Sequence, residues 1–112
     1  MQNEQAIAML DGFPVSKGHV LVIPKQHVAS FFEISLAEQS ALLDLITQAK
    51  RIIDAEHQPD AYNIGINDGS DAGQTVAHLH VHLIPRYHND VADPRGGVRW
   101  IMPDKAVYWD ED

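Results

Sequence analysis

The chain contains no cysteine. Disulfides, cysteine-ligated zinc and thiol catalysis are therefore excluded, and a reducing compartment suits the composition. It is also short of positive charge, with eight Lys and Arg against sixteen Asp and Glu and a formal net charge of −8. The basic residues Lys17, Lys25, Lys50, Arg51, Arg86, Arg95, Arg99 and Lys105 are scattered and form no block. A polynucleotide backbone would be repelled, so no nucleic-acid partner is expected. No apolar run approaches the roughly 20 residues of a membrane span, and MQNEQAIAML lacks the basic start and long apolar core of a secretory signal. Together these absences lead to the expectation of a soluble, cytoplasmic protein with no membrane partner. A small anionic ligand remains admissible, because neutral imidazoles and main-chain N–H groups bind phosphate without net positive charge.

What is present fits one domain. The 112 residues suffice for a single hydrophobic core, and 45% hydrophobic with 21% charged residues is an ordinary globular composition. The sequence contains no repeat, low-complexity tract or linker. Ser35, with Glu38 three residues on, matches a helix-capping box. Leu42, Leu45, Ile46, Ala49, Ile52 and Ile53 follow at helical spacing, and Gln58-Pro59-Asp60 predicts the end near His57. Strand candidates run over 5–10, 19–23, 62–67 and 76–84. Adjacent strands with few helices predict an α+β fold, an antiparallel sheet with the helix on one face. Beyond Arg86 the pattern dissolves. The tail from about 88 is read as irregular, with a short strand around 98–102. Its Trp100, Tyr108 and Trp109 suit core or dimer contact better than a nucleobase pocket.

The most informative stretch is HLHVHLIP, residues 78–85. In a strand, His78, His80 and His82 point to one face while Ala77, Leu79, Val81 and Leu83 point to the other and set the register. Three readings follow. Two imidazoles about 6.6 Å apart along a strand would share a metal with a distant third ligand, His19 or Asp71. Alternatively, a row of imidazoles matches the spread oxygens of a polyphosphate, and a neutral imidazole attacks phosphorus to split one displacement into two. A bland polar strand face is the third reading. The loop Asn67-Asp68-Gly69-Ser70-Asp71-Ala72-Gly73-Gln74-Thr75 favours the phosphate: its glycines allow close backbone approach, and Gln74 and Thr75 supply an amide and a hydroxyl. His19 opens a hydrophobic strand after Ser16-Lys17-Gly18, and Asp11 precedes the Gly12-Phe13-Pro14 turn. His27, His57 and His88 are assigned to the surface.

These residues resemble the histidine triad family. Its pattern of three histidines separated by single hydrophobic residues, then two more hydrophobic ones, is met by 78–84. Gly18-His19-Val20-Leu21-Val22-Ile23-Pro24 and Ala72-Gly73-Gln74-Thr75-Val76 match as well, so the likeness spans roughly 7–87. The resemblance implies a sheet of about five antiparallel strands with one main helix packed on it, paired into a homodimer. It also implies cleavage of an adenine nucleotide substrate at its α-phosphate through a nucleotidyl-histidine. By that resemblance His80 is the nucleophile, His82 assists the leaving group, and His78 and His19 hold the row. Gln74, Thr75, Gly73 and Asn67 would lie at the phosphates and Asp11 at the ribose. Met9, Phe13 and Leu21 are candidates to line the base pocket. No cofactor is required, although a divalent cation would accompany a polyphosphate substrate. The Gly-Gln-Thr segment and Pro85-Arg86 look closest to the fragile histidine triad hydrolases of dinucleoside polyphosphates, whereas Asn67 looks like the Hint-type phosphoramidases. The alternatives are a nucleotide-binding regulatory dimer with little catalysis, and a metal-dependent phosphohydrolase using two of the triad histidines.

Overall fold

The computed structural model describes residues 1–110. The order is β1 (Ala6–Leu10), β2 (Val20–Pro24), α1 (Leu36–His57), β3 (Ala61–Ile66), β4 (Val81–Arg86) and the short α2 (Pro103–Ala106). 3₁₀ turns lie at Phe31–Glu33, Ser70–Ala72 and Gly97–Ile101. Among the described residues the strands form one antiparallel sheet in the order β1-β2-β4-β3.

α1 starts where its capping signal places it. The Ser35 hydroxyl accepts the Glu38 N–H and the Glu38 carboxylate accepts the Ser35 N–H, each at 3.1 Å. Gln58, in the left-handed region, ends the helix with its N–H on the Asp54 carbonyl. Leu42, Leu45, Ile46, Ala49 and Ile53 are buried against Ala6, Val20, Val22, Leu79, Val81 and Leu83. Ile52, expected on this face, is 45% exposed, because it falls at the edge of the stripe that meets the sheet. The core therefore fills one side of the sheet and leaves the other side open.

Two differences from the sequence reading bear on function. β4 begins at Val81 rather than near Val76. Before it, the Leu79 N–H goes to the Val28 carbonyl at 2.7 Å and not to a ladder partner. Leu79 is nevertheless 1% exposed, so the burial alternation outlasts the ladder, whereas Ala77, expected inward, is exposed. The second difference concerns the expected fifth strand. Gly96 and Gly97 take positive φ, and residues 97–101 curl into a 3₁₀ turn with Arg99 donating to the Ala106 carbonyl. The sheet has four strands for that reason.

Candidate active site

The open face of the sheet is built by register. Met9 on β1 pairs with Leu21 on β2, Leu21 with His82 on β4, and His82 with Gly65 on β3. Cross-strand partners share a face, so one row runs from apolar Met9 and Leu21 through His82 to an open glycine. His82 is the one triad histidine inside a ladder; His78 and His80 sit in the extended approach to it.

The His80, His78 and His19 rings are each oriented by a main-chain group whose role is unambiguous, since a carbonyl only accepts and an amide N–H only donates, and His82 is oriented through His19. His80 Nδ1 lies 2.9 Å from the His78 carbonyl, so Nδ1 carries the proton and Nε2 carries the lone pair. His78 Nε2 donates to the Pro24 carbonyl at 2.9 Å. Its Nδ1 is then the acceptor for His27 Nδ1 at 3.1 Å. The Val15 N–H donates to His19 Nδ1 at 3.1 Å, which leaves the proton on Nε2, 2.9 Å from His82 Nδ1. His82 accordingly presents Nε2–H. The His80 and His82 ring centroids are 5.2 Å apart.

Asp11 belongs to this chain of contacts. Its carboxylate approaches His19 Nε2 at 3.3 Å and His82 Nδ1 at 3.9 Å, and its other oxygen accepts the Phe13 N–H at 2.8 Å. His19 is 2% exposed. Burial lowers its pKa, with Asp11 opposing the shift. Burial also lowers the pKa of His82, reinforced by His19 and His80 and opposed by Asp11. Both shifts favour the neutral ring, in keeping with the hydrogen-bond assignment.

Asp11, His19 and His82 bring ligand atoms within 4.8 Å of one another. The distances would admit a metal, but the donor set does not suit one. A metal on His19 Nε2 needs the far nitrogen to donate a proton to an acceptor, and here that nitrogen receives the Val15 N–H. Asp71 is exposed and not part of the cluster, and His78 is turned to Pro24 and His27.

The loop ahead of β4 is a braced turn. Gly73 takes φ +98° at the end of its 3₁₀ turn. Gln74 Oε1 accepts the Gly69 N–H, and both amide hydrogens of Gln74 go to the Ala29 and Val76 carbonyls. Asp68 accepts the Ser30 hydroxyl and the Phe31 N–H. Asn67 and Thr75 are exposed. Phe13, a base-pocket candidate, is 91% exposed, and Met9 is 42% exposed.

Several contributors escaped the sequence reading. His27 is exposed, as expected, but it partners His78. His57 is half-buried, its ring 2.9 Å from where a Cβ on Gly18 would lie. The Val15 N–H is a main-chain group with no side-chain signature. Ser16 and Tyr87 tie the β1–β2 loop to β4 through the Pro85 and Lys17 carbonyls. These are contacts between segments roughly 70 residues apart, which no local pattern announces.

Comparison with known proteins finds relatives over most of the chain. The model of the HIT domain matches residues 1–89. An uncharacterised HIT-like protein of Mycoplasma genitalium is 42% identical over 86 residues, covering 77% of this chain and 61% of that protein. The asymmetrical bis(5'-nucleosyl)-tetraphosphatase of Schizosaccharomyces pombe is 41% identical over 80 residues, 71% of this chain and 44% of that one. The crystal structure of a HIT family protein from Bacillus anthracis superposes with a TM-score of 0.76 at 40% identity, covering 80% of this chain and 63% of that one. The chain thus spans about half to three fifths of the length of these relatives. With the family model matched over most of its length and the imidazole row in place on the open sheet face, the chain belongs to the HIT domain family.

Proposed function

We propose that the protein is a nucleotide hydrolase that cleaves at the α-phosphate of dinucleoside polyphosphates, and also of adenosine phosphoramidates, through a nucleotidyl-His80 intermediate. The observation that carries this reading is the His80 ring, with Nδ1 held by the His78 carbonyl and Nε2 left with its lone pair beside His82. His80 Nε2 forms a bond to the phosphorus and the bond to the leaving group breaks. The His82 Nε2–H meets the negative charge developing on the leaving atom, a preorganised donor that needs no reorientation. Water then adds its oxygen to the phosphorus and gives up a proton to solvent, the N–P bond breaks, and His80 recovers its lone pair.

His19 and Asp11 act on His82 through its Nδ1, and His78 acts through its carbonyl. Gly73, Gln74, Thr75 and Asn67 shape and face the phosphate side. Asp11, in the turn after β1 with its carboxylate on His19, stands on the side assigned to the ribose, and Met9 and Leu21 back the base. A divalent cation travels with a polyphosphate substrate and takes no part in the displacement. The named activity of the fission-yeast relative favours the dinucleoside polyphosphate. The protein acts in the cytoplasm as a homodimer joined at the unpaired edge of β3, where Ile64 is 55% exposed.

The test is a paired assay of a diadenosine polyphosphate and an adenosine phosphoramidate, with denaturing mass measurement of the quenched enzyme. An AMP adduct on His80 is expected. His80→Ala should lose the adduct and on the order of 10⁴-fold or more in kcat. Brisk turnover with no adduct, or His80→Ala with wild-type kinetics, would remove the nucleophile from this residue. A chelator should leave phosphoramidate turnover intact; loss restored by zinc would favour the metal-dependent alternative.

A further inference from the structure

The tail beyond β4 does not join the core. Trp100 is 45% exposed and Tyr108 71% exposed, so of the two roles expected for the tail aromatics, core or dimer contact, these two do not fill the first; Trp109 is half-buried. Arg95 and Arg99 instead lie over the Trp109 and Tyr108 rings at 4.5 and 4.7 Å. The tail folds back over the open sheet face and closes one wall of a groove of about 580 Å³. That volume is within the range of small-molecule sites. Asn63, Ile84 and Arg86 form its floor, Val15 and Ser16 one rim, and Val98 and Trp100 the wall.

The position of this groove is set by register. Ile84 follows His82 by two residues on the same face of β4, about 6.6 Å along the strand, and pairs with Asn63. Val15, on the rim, is also the residue whose N–H orients His19. The groove therefore begins one side chain beyond His82. It lies across that histidine from His80 along β4 and on the β3 side, away from the Met9–Leu21 pair on β1 and β2, which in the reading above backs the base of the nucleotide retained on His80.

Its chemistry is specific too. Arg86 is spent on Asp90, through two bonds of 2.8 and 2.9 Å, and on Asn63 at 2.6 Å. Asp93 pairs with Arg95 at 3.0 Å. The ionic groups of the groove thus neutralise one another. The Trp100 ring is held half-exposed by its Nε1–H on the Arg95 carbonyl at 2.8 Å. A charge-balanced groove with a fixed aromatic wall suits a flat uncharged ring system better than a phosphate.

We propose that this groove is the leaving-group subsite and that it takes the departing nucleoside of a dinucleoside polyphosphate against Trp100. The polyphosphate bridge passes the open side at Gly65, where an added Cβ would meet nothing within 4 Å. This inference rests on the nucleotidyl-transfer reading above and adds which surface selects the leaving group.

The experiment compares diadenosine triphosphate with adenosine 5'-phosphoramidate, which share the AMP half and differ in what departs. Trp100→Ala should lower the ratio of kcat/KM for the dinucleotide over the phosphoramidate about ten-fold, the scale of one lost base–aromatic stack. Trp100→Phe should restore most of it. Val98 is 63% exposed, so Val98→Glu adds a charge to the groove wall with little risk to folding and should lower the same ratio. An unchanged ratio in Trp100→Ala and Val98→Glu, or equal losses on both substrates, would overturn the subsite while leaving the nucleophile in place. Wild-type protein that cleaves neither compound would overturn the nucleotidyl-transfer reading and the subsite with it.

Discussion

His19 and His82 are a donor–acceptor pair whose direction is set by one backbone amide. The Val15 N–H leaves His19 only its Nε2–H to give, and His82 Nδ1 takes it. His19→Ala removes that donor and frees His82 to change tautomer. We expect kcat to fall about 10–100-fold, the usual scale for a group that orients a functional ligand from behind, and by less than for His80→Ala. Stability should follow pH through the same pair. Both folded pKa values lie below the ordinary histidine value, mainly because of burial, while in the unfolded chain they titrate near 6.5. As pH falls through that range the unfolded chain takes up protons that the folded protein refuses, so stability present above it is lost and levels off only below the folded values. Thermal unfolding from pH 7.5 to 5 should show this decline, and His82→Asn should make it shallower. A variant with the wild-type slope would place the titrating groups elsewhere.

At the scale of elements, the site depends on where β2 and β4 start. Gly18, just before His19, holds φ +91°, and a Cβ there would lie 2.9 Å from the His57 ring and 3.3 Å from Ile53. Gly18→Ala is therefore strained in backbone and crowded in space. A loss of about 1–3 kcal/mol is expected in urea denaturation, with a fall in kcat because His19 moves with it. Ser35→Ala is the contrast. It breaks the capping box of α1 at a cost of about 1 kcal/mol, but that end of the helix touches none of the histidines, so activity should persist wherever the protein stays folded. The helix was legible because its cap, apolar stripe and stop are all local. The start of β4 was not, because the Leu79 N–H is claimed by Val28, about 50 residues away in sequence.

For the molecule as a whole, α1 covers one side of the sheet over β1, β2 and part of β4 and reaches β3 at Tyr62, whose hydroxyl donates to Asp54 at 2.6 Å, while Ile64 stays uncovered. Ile64 pairs with buried Leu83 yet is 55% exposed, and neither Lys nor Pro guards that edge. A second copy adding its own β3 would pair those groups. Sedimentation at micromolar concentration should show a dimer, and Ile64→Arg should shift it to monomer. An unaltered dimer in that variant would place the interface elsewhere. The β3 edge is also far from charge-rich, which suits self-association in a chain of net charge −8.

By itself the sequence determined the alternation that buries Leu79, Val81 and Leu83, the capped helix, and the row of three histidines at alternate positions. Each of these follows from local spacing and residue type. Only the tertiary structure decided the proton positions, because they are set by the Val15 N–H and by the His78 and Pro24 carbonyls. It likewise decided the role of His27, the bracing of Gln74 and the groove beside His82. Main-chain groups carry no letter of their own, and contacts between distant segments exist only once the chain has folded.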